Sequence, residues 1–230
     1  MKILALIPAR GGSKRIPGKN MRDLGAKPLI LWSLDSAQNI TEICDIIVST
    51  DDIHAAETLK RTNALVPWLR PAALASDSAT SIDVAIHALD WYEGEKGKVD
   101  GLLLLQPTSP FRRRETILRG IKLYRENQLR PVIGLSPTVD HPMWCFKVEG
   151  LKVKSFIENS PGINLRSQDL PPSLTVNGGF YLISPSMLRA NKSFYDEGML
   201  PLVVDDPIES IDIDTEWDWT IAEAALKKLQ

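Results

Sequence analysis

The 230-residue sequence predicts an α/β domain, a three-layer α/β sandwich with a mostly parallel sheet at its centre. Three observations predict it. Apolar runs of strand length alternate with amphipathic stretches of helix length, the pattern of βαβ units. Leu102-Leu103-Leu104-Leu105 is unbroken by polar residues, as a strand covered on both faces requires. A hydrophobic share of 43% with 24% charged residues is that of a chain able to bury its own core.

Strands are expected at Ile3–Ile7, Ile46–Ser49, Gly101–Leu105 and Val132–Leu135, and helices at Pro28–Gln38, Ile53–Thr62, Ile82–Tyr92 and Glu115–Glu126. Pro28 suits a first helical turn, where its missing N–H is not needed, and Thr50-Asp51-Asp52 offers capping oxygens ahead of residue 53. A final helix over Trp217–Leu229 follows a near capping box, Thr215 with Asp218, and ends on Lys227 and Lys228, which complement its dipole. Between Thr138 and Pro172 the rhythm changes. Trp144–Val148 and Leu151–Phe156 alternate around Glu149-Gly150, which predicts a hairpin. The expectation is one domain over residues 1–230 with an insertion at 138–172.

A net charge of −2 and a pI near 6.0 give no electrostatic reason to expect nucleic acid. Cys44 and Cys145 have neither disulfide-scaffold density nor metal-ligand spacing. No apolar run approaches the roughly 18 residues of a membrane span, and the start of the chain lacks a signal h-region. A cytoplasmic protein with no membrane partner is expected.

The first strand runs directly into Ile7-Pro8-Ala9-Arg10-Gly11-Gly12-Ser13-Lys14-Arg15-Ile16-Pro17-Gly18-Lys19-Asn20. Gly11, Gly12 and Gly18 let backbone N–H groups converge, and Arg10, Lys14, Arg15 and Lys19 can offset the charge of a nucleoside triphosphate. A solvated basic loop is the plain alternative. The loop is not a Walker A motif, since Ser13 stands where the first Gly belongs and Asn20 follows Lys19. Nor is it G-x-G-x-x-G, because Gly11 and Gly12 are adjacent.

Asp212 and Asp214 flank Ile213 in a strand-like run, and a period of two places both carboxylates on one face, about 6.6–7 Å apart at Cα. They can share a hard cation such as Mg²⁺, or else cap the final helix. Three histidines, His54, His87 and His141, form no nucleophilic triad pattern with a Ser or Cys.

The opening loop resembles the signature of the acylneuraminate cytidylyltransferases, the CMP-sialic acid synthetases. Four later segments resemble that family's motifs in the same order: Leu69 to Asp77, Leu104 to Pro110, Asn177 to Tyr181, and Ser210 to Glu216. The resemblance implies a nucleotide-diphospho-sugar transferase fold and transfer of CMP from CTP to a nonulosonic acid of the sialic or legionaminic type, with pyrophosphate leaving. It implies Mg²⁺, or Mn²⁺, on Asp212 and Asp214. Arg10 with the Gly11-Gly12 backbone and Ser13 would hold the triphosphate, and Lys14 and Lys19 would offset its outer phosphates. Asn20, Arg70 and Ser81 would surround the cytidine and its ribose, with Ala9 beside the base. For the acceptor it suggests Gln106, Asn177 and Tyr181, with Arg166 near the carboxylate and the aromatic pair Phe194-Tyr195 near the acyl group. It also implies a homodimer built through the insertion.

One departure bears on the acceptor: Trp144 stands where better-known sialic acid enzymes place a Lys, which favours a deoxygenated, diacylated acid of the legionaminic type. The readings that compete are a relative activating 3-deoxy-manno-octulosonate and a catalytically silent nucleotide-sugar sensor.

Overall fold

The computed structural model describes residues 1–158 and 164–229. In chain order the strands are β1 (Ile3–Pro8), β2 (Asp23–Leu24), β3 (Lys27–Pro28), β4 (Ile43–Ser49), β5 (Gly101–Leu104), β6 (Val132–Pro137), β7 (Phe146–Glu149), β8 (Lys152–Ser155), β9 (Leu174–Ile183) and β10 (Leu200–Val203). The helices are α1 (Leu29–Ala37), α2 (Ile53–Leu59), α3 (Ala72–Ala75), α4 (Ser81–Lys96), α5 (Arg114–Glu126), α6 (Pro185–Asn191) and α7 (Glu216–Leu229). The helices and strands anticipated from periodicity are present within a few residues at the ends, except the strand-like run around Ile213.

The central sheet has six strands in the order β10-β6-β9-β5-β1-β4. β1 pairs in parallel with β4 and β5, and β10 with β6, whereas β9 runs antiparallel between β5 and β6. Side chains alternate across this sheet as the pleat requires. Ile3, Ala5 and Ile7 of β1, with Leu103 and Phe180, pack under α1 and α5; Leu4 and Leu6, with Leu102, Leu104 and Tyr181, pack under α4 and α6. Three layers result, and both faces of the sheet are dry. On the first face a Cβ at Gly120 of α5 would fall 2.2 Å from the Phe180 ring, so helix and sheet meet at a contact only glycine permits.

The caps at α2 and α7 hold as the residue types predict, whereas Pro28 falls before the first turn of α1, extended in β3 and paired with Asp23. Asp52 accepts the N–H groups of His54 and Ala55, and Thr80 and Asp83 form a full capping box on α4. At α7 the Asp218 carboxylate accepts from the Thr215 N–H at 2.7 Å and Thr215 Oγ1 from the Asp218 N–H at 3.3 Å.

Two expectations need correction or completion. Asp212 to Asp214 do not form a strand: the segment pairs with no ladder, and the Ile213 N–H instead donates to the Thr108 carbonyl at 2.8 Å. The alternation survives because Ile213 itself is buried in a third cluster with Ile16, Leu24, Phe111 and Trp219, which turns both neighbouring carboxylates outward. Second, β9 is long and bulged. Ile133 pairs with Tyr181 but Leu135 with Val176, so β9 carries extra residues there, and Gly178 takes φ +71° inside them.

The predicted hairpin is β7–β8, a separate two-stranded sheet with Val148 opposite Val153. Of the expected insertion at 138–172, residues 159–163 lie outside the described residues.

Candidate active site

A cleft of about 700 Å³ opens at the carboxyl ends of the parallel strands β1, β4 and β5. Arg10, Ser13, Lys14, Lys19 and Asn20 line it from the loop after β1, and Arg70 and Ser81 from the far side. Gln106 and Thr108 come from the loop after β5, and Asp212 and Asp214 from the segment before α7. Residues separated by some two hundred positions are thus brought around one space.

The loop after β1 is held in shape by its own neighbours. Asp51 accepts the Gly11 N–H at 2.9 Å, and Asn20 Nδ2 donates to the Arg10 carbonyl at 2.9 Å. Lys19 is buried, and its ammonium donates to the Ile213 carbonyl at 2.6 Å and to Asp214 at 3.2 Å. Arg15 reaches the other Asp214 oxygen at 3.1 Å. Arg10 and Lys14 both face one acid, Asp77, at 3.1 and 2.6 Å. Lys14, through hydrogen bond and charge, and then Arg10 hold that exposed carboxyl below the usual range.

Arg70 is buried because the Thr50–Leu69 bridge carries it under the cleft floor. Its Nε donates to Ser49 Oγ at 3.0 Å and a terminal nitrogen to the Ser49 carbonyl. Desolvation lowers its pKa first; nearby Asp51 opposes this and nearby Arg10 adds to it. Asp212 is tilted the other way. Although its tip opens on the cleft, desolvation by the surrounding walls raises its carboxyl above the usual range. Asp214 and Asp218 add repulsion, against the Thr108 hydrogen bond and the Lys19 charge. Basic side chains from the loop after β1 and acids from the segment before α7 therefore face one space, and four ion pairs, Arg10 and Lys14 to Asp77, Arg15 and Lys19 to Asp214, join opposite charges across it.

The acceptor-side residues divide. Gln106 faces the cleft, and a Cβ at Gly178 would lie 3.0 Å from its Oε1 and 3.8 Å from Asp212 Cγ, so the β9 bulge brings backbone against the site. Asn177 is buried, with Nδ2 on Ser136 Oγ at 3.0 Å and Oδ1 accepting the Gly179 N–H at 2.9 Å; both ends of its amide hold the bulge. Tyr181 packs on Phe194 and Tyr195, with ring centroids at 5.6 and 6.3 Å. Burial, foremost, raises its phenol, and Asp212 contributes to the rise. Arg166 instead pairs with Asp169 at 2.8 Å on an exposed turn, outside the cleft of this chain. Ala9 and Gly11-Gly12 belong to the loop but not to the lining: Ala9 is buried, Gly11 is tied to Asp51, and Gly12 is open to solvent. Sequence reasoning passed over Asp51, Asp77 and Thr108; Asp77 and Thr108 lay inside segments it had singled out, whereas Asp51 carried no signal beyond a capping role.

Basic loop, buried arginine and paired acids at the strand ends define a nucleotide-binding transferase of the α/β sandwich class. A cytidylyltransferase family model matches residues 4–162. The chain is 38% identical to the CMP-N,N'-diacetyllegionaminic acid synthase of Legionella pneumophila over 99% of this chain and 97% of that protein. It is 31% identical to a pseudaminic acid cytidylyltransferase of Campylobacter jejuni over 79% of this chain and 78% of the other. The solved structure of a CMP-2-keto-3-deoxy-manno-octonic acid synthetase with CTP has the same fold, with a TM-score of 0.73 at 16% identity over the whole of both chains. The chain belongs to the cytidylyltransferase family and is a nucleotidyltransferase. Among the described residues no helix is long and apolar enough to cross a membrane.

The two paired acids should separate in stability measurements. An acid whose folded pKa is raised is ionised at neutral pH at a cost to the folded state, so Asp212→Asn should melt at or above the wild-type temperature at pH 7. Asp214→Asn takes the anionic partner from the buried Lys19 ammonium, leaving it only neutral acceptors, and should lose about 1 kcal/mol. A common thermal melt series checks both, and a reversed order would refute the electrostatic assignment.

Proposed function

We propose that the protein transfers CMP from CTP to the anomeric hydroxyl of a nonulosonic acid, and that the acid is of the diacetylated legionaminic type. The observation that carries this reading is the single cleft shared by the loop cations, Arg70, Gln106 and the pair Asp212 and Asp214. The near full-length likeness to a protein named for CMP-N,N'-diacetyllegionaminic acid supports the acceptor. Trp144, which lies outside the lining of this chain's cleft with its ring 6.4 Å from that of His141, supports it only through the resemblance, as an aromatic residue where better-known sialic acid enzymes place a Lys.

In this reading Arg10 and Lys14 release Asp77 and bind the triphosphate with Ser13 and the loop backbone, while Arg70, Asn20 and Ser81 orient the cytidine end beside Ala9. Lys19 acts through Asp214, which it holds toward the cleft, more than on phosphate directly. Gln106 faces the acid sugar, Tyr181 with Phe194 and Tyr195 forms a ring cluster outside the cleft lining that is assigned to the acceptor by the resemblance, and Asn177 serves by holding the Gly178 bulge. Arg166, on the exposed insertion, is assigned to the acceptor carboxylate. The sugar hydroxyl attacks the α-phosphorus in line; the new P–O bond forms as the bond to the β-phosphate oxygen breaks, pyrophosphate leaves, and the hydroxyl proton passes to water.

Mg²⁺ or Mn²⁺ is assigned to Asp212 and Asp214. Hard carboxylate oxygens and the mutual repulsion that raises Asp212 fit such a cation, which would supply charge neutralisation at the triphosphate. Among the described residues no cluster of three or more His, Cys, Asp or Glu side chains could hold a metal alone, so phosphate oxygens and water would complete its shell. A homodimer is proposed through β7–β8, where Val148 and Val153 are 73% and 65% exposed and a lone hairpin has no second sheet to cover it.

The central test is pyrophosphate release across CTP, UTP, ATP and GTP with a panel of acid sugars. CTP should be preferred, and N,N'-diacetyllegionaminic acid should be used at least as well as N-acetylneuraminic acid; a tenfold or larger preference for the latter overturns the acceptor assignment. Asp214→Asn should lower turnover by about a hundredfold. The pH profile tests the metal. Since Asp212 holds its proton to a higher pH than an ordinary aspartate, of pKa about 3.9, activity should fall on the acid side from above that value, and the fall should move to lower pH as Mg²⁺ is raised. An acid limb indifferent to Mg²⁺ would detach Asp212 from the cation. Light scattering at micromolar concentration should report a dimer, and a monomer would remove the hairpin from the interface.

A further inference from the structure

Arg112 stands outside the cleft lining, yet its guanidinium joins three segments that meet behind the acceptor wall. Its side chain is buried, with 5% of the residue exposed. Nε donates to the Gly179 carbonyl in the β9 bulge, one terminal nitrogen to the Gln106 carbonyl at 3.0 Å, and the other to Ser33 Oγ of α1 at 3.3 Å. Ser33, fully buried, donates its own hydroxyl to the same Gln106 carbonyl at 3.2 Å. Glu209 and Asp212 act on Arg112 through space, and burial pushes the guanidinium down to about 10, so it stays charged at neutral pH.

A buried charge bonded to neutral acceptors alone contributes little as a stabiliser, because its desolvation is offset only in part. What the fork supplies is geometry: a rigid plane with donors in fixed directions reaches three backbones or side chains at once, which the single ammonium of Lys does not reproduce. Two of its three acceptors bracket one narrow contact: one is the carbonyl of Gln106 itself, the other that of Gly179, next in the chain to Gly178. Gln106 and Gly178 approach each other and Asp212 so closely that a Cβ at 178 would lie 3.0 Å from Gln106 Oε1. A small drift in either carbonyl would therefore change where the acceptor wall stands relative to Asp212.

We infer that Arg112 is a positioning residue for the acceptor half of the transfer: it holds Gln106 and the Gly178-Gly179 bulge in register with Asp212 and touches neither substrate. The inference rests on the proposed assignment of the Gln106 wall to the acid sugar. Nucleotide-side residues reach the cleft through other contacts, Arg70 through Ser49 and the loop after β1 through Asp51 and Lys19.

The test uses Arg112→Lys and the milder Ser33→Ala, which loosens the same Gln106 carbonyl and alters no cleft-lining residue. With N,N'-diacetyllegionaminic acid as acceptor, KM for the sugar should rise about tenfold in Arg112→Lys and about threefold in Ser33→Ala, while KM for CTP stays within about twofold. The double variant should lose less than the product of the two, because both act through one carbonyl. Hydrogen exchange of the substrate-free protein should quicken at 105–109 and 177–180 and remain unchanged at 9–20 and 69–81. Equal rises in both KM values, or exchange that quickens everywhere or nowhere, would overturn the inference. If Arg112→Lys does not fold, Ser33→Ala alone decides by the same readouts. If the wild type turns over no acid sugar, the acceptor assignment has failed, and the exchange pattern still decides whether Arg112 holds that wall.

Discussion

The site depends on one buried ammonium. Lys19 leaves the loop after β1 and binds the Ile213 carbonyl and the Asp214 carboxylate, which joins the first twenty residues to the segment that precedes the last helix. The surrounding contacts reinforce this tie: Arg22 pairs with Glu216 at 2.8 Å and lies over the Trp219 ring at 4.2 Å, and Ile16 and Ile213 share one apolar cluster. Removing water from that cluster makes the Lys19 bonds stronger than they would be at the surface, and those bonds in turn keep the loop from drifting away from the acids. The phosphate side and the acidic side of the cleft are thereby one construction.

Charge in this cleft is arranged against its own stability. Burial, foremost, disfavours the charged forms of Arg70 and Asp212, with Arg10 adding to the one and Asp214 and Asp218 to the other. Asp77 stands opposite Arg10 and Lys14, where an acid partly offsets their charge. Taking a charged side chain out of water costs a fold something, and a ligand of opposite charge relieves that cost wherever it binds, which couples binding free energy to folding free energy. The β9 side of the cleft is organised by a different device, a bulged strand held by the Asn177 amide and backed by a buried arginine, in which backbone geometry matters more than charge.

The fold and the anion loop were legible in the sequence because both are written in local patterns. A period of two with both faces apolar gives a central strand, a period near 3.6 gives the helices over it, and Asp52 and Thr215 mark helix starts through oxygens that accept from nearby N–H groups. Gly11, Gly12 and Gly18 among four cations announce a phosphate loop for similarly local reasons. The outward aim of Asp212 and Asp214 also followed from alternation, although the segment is extended without being a strand.

Tertiary structure alone decided the rest. That β9 runs antiparallel and bulges at Gly178, that Asn177 holds the bulge from within, and that Lys19 turns away from solvent to hold Asp214 all depend on partners 37 to 195 positions distant. The same is true of Arg112, whose three acceptors lie on α1, the loop after β5 and β9. The chain by itself determined which residues could bind phosphate or cation, since that follows from their chemistry and spacing. Which of them face the cleft and which hold the wall behind it was fixed only when packing chose one partner for each buried donor, because a donor removed from water must take the acceptor that the fold brings to it.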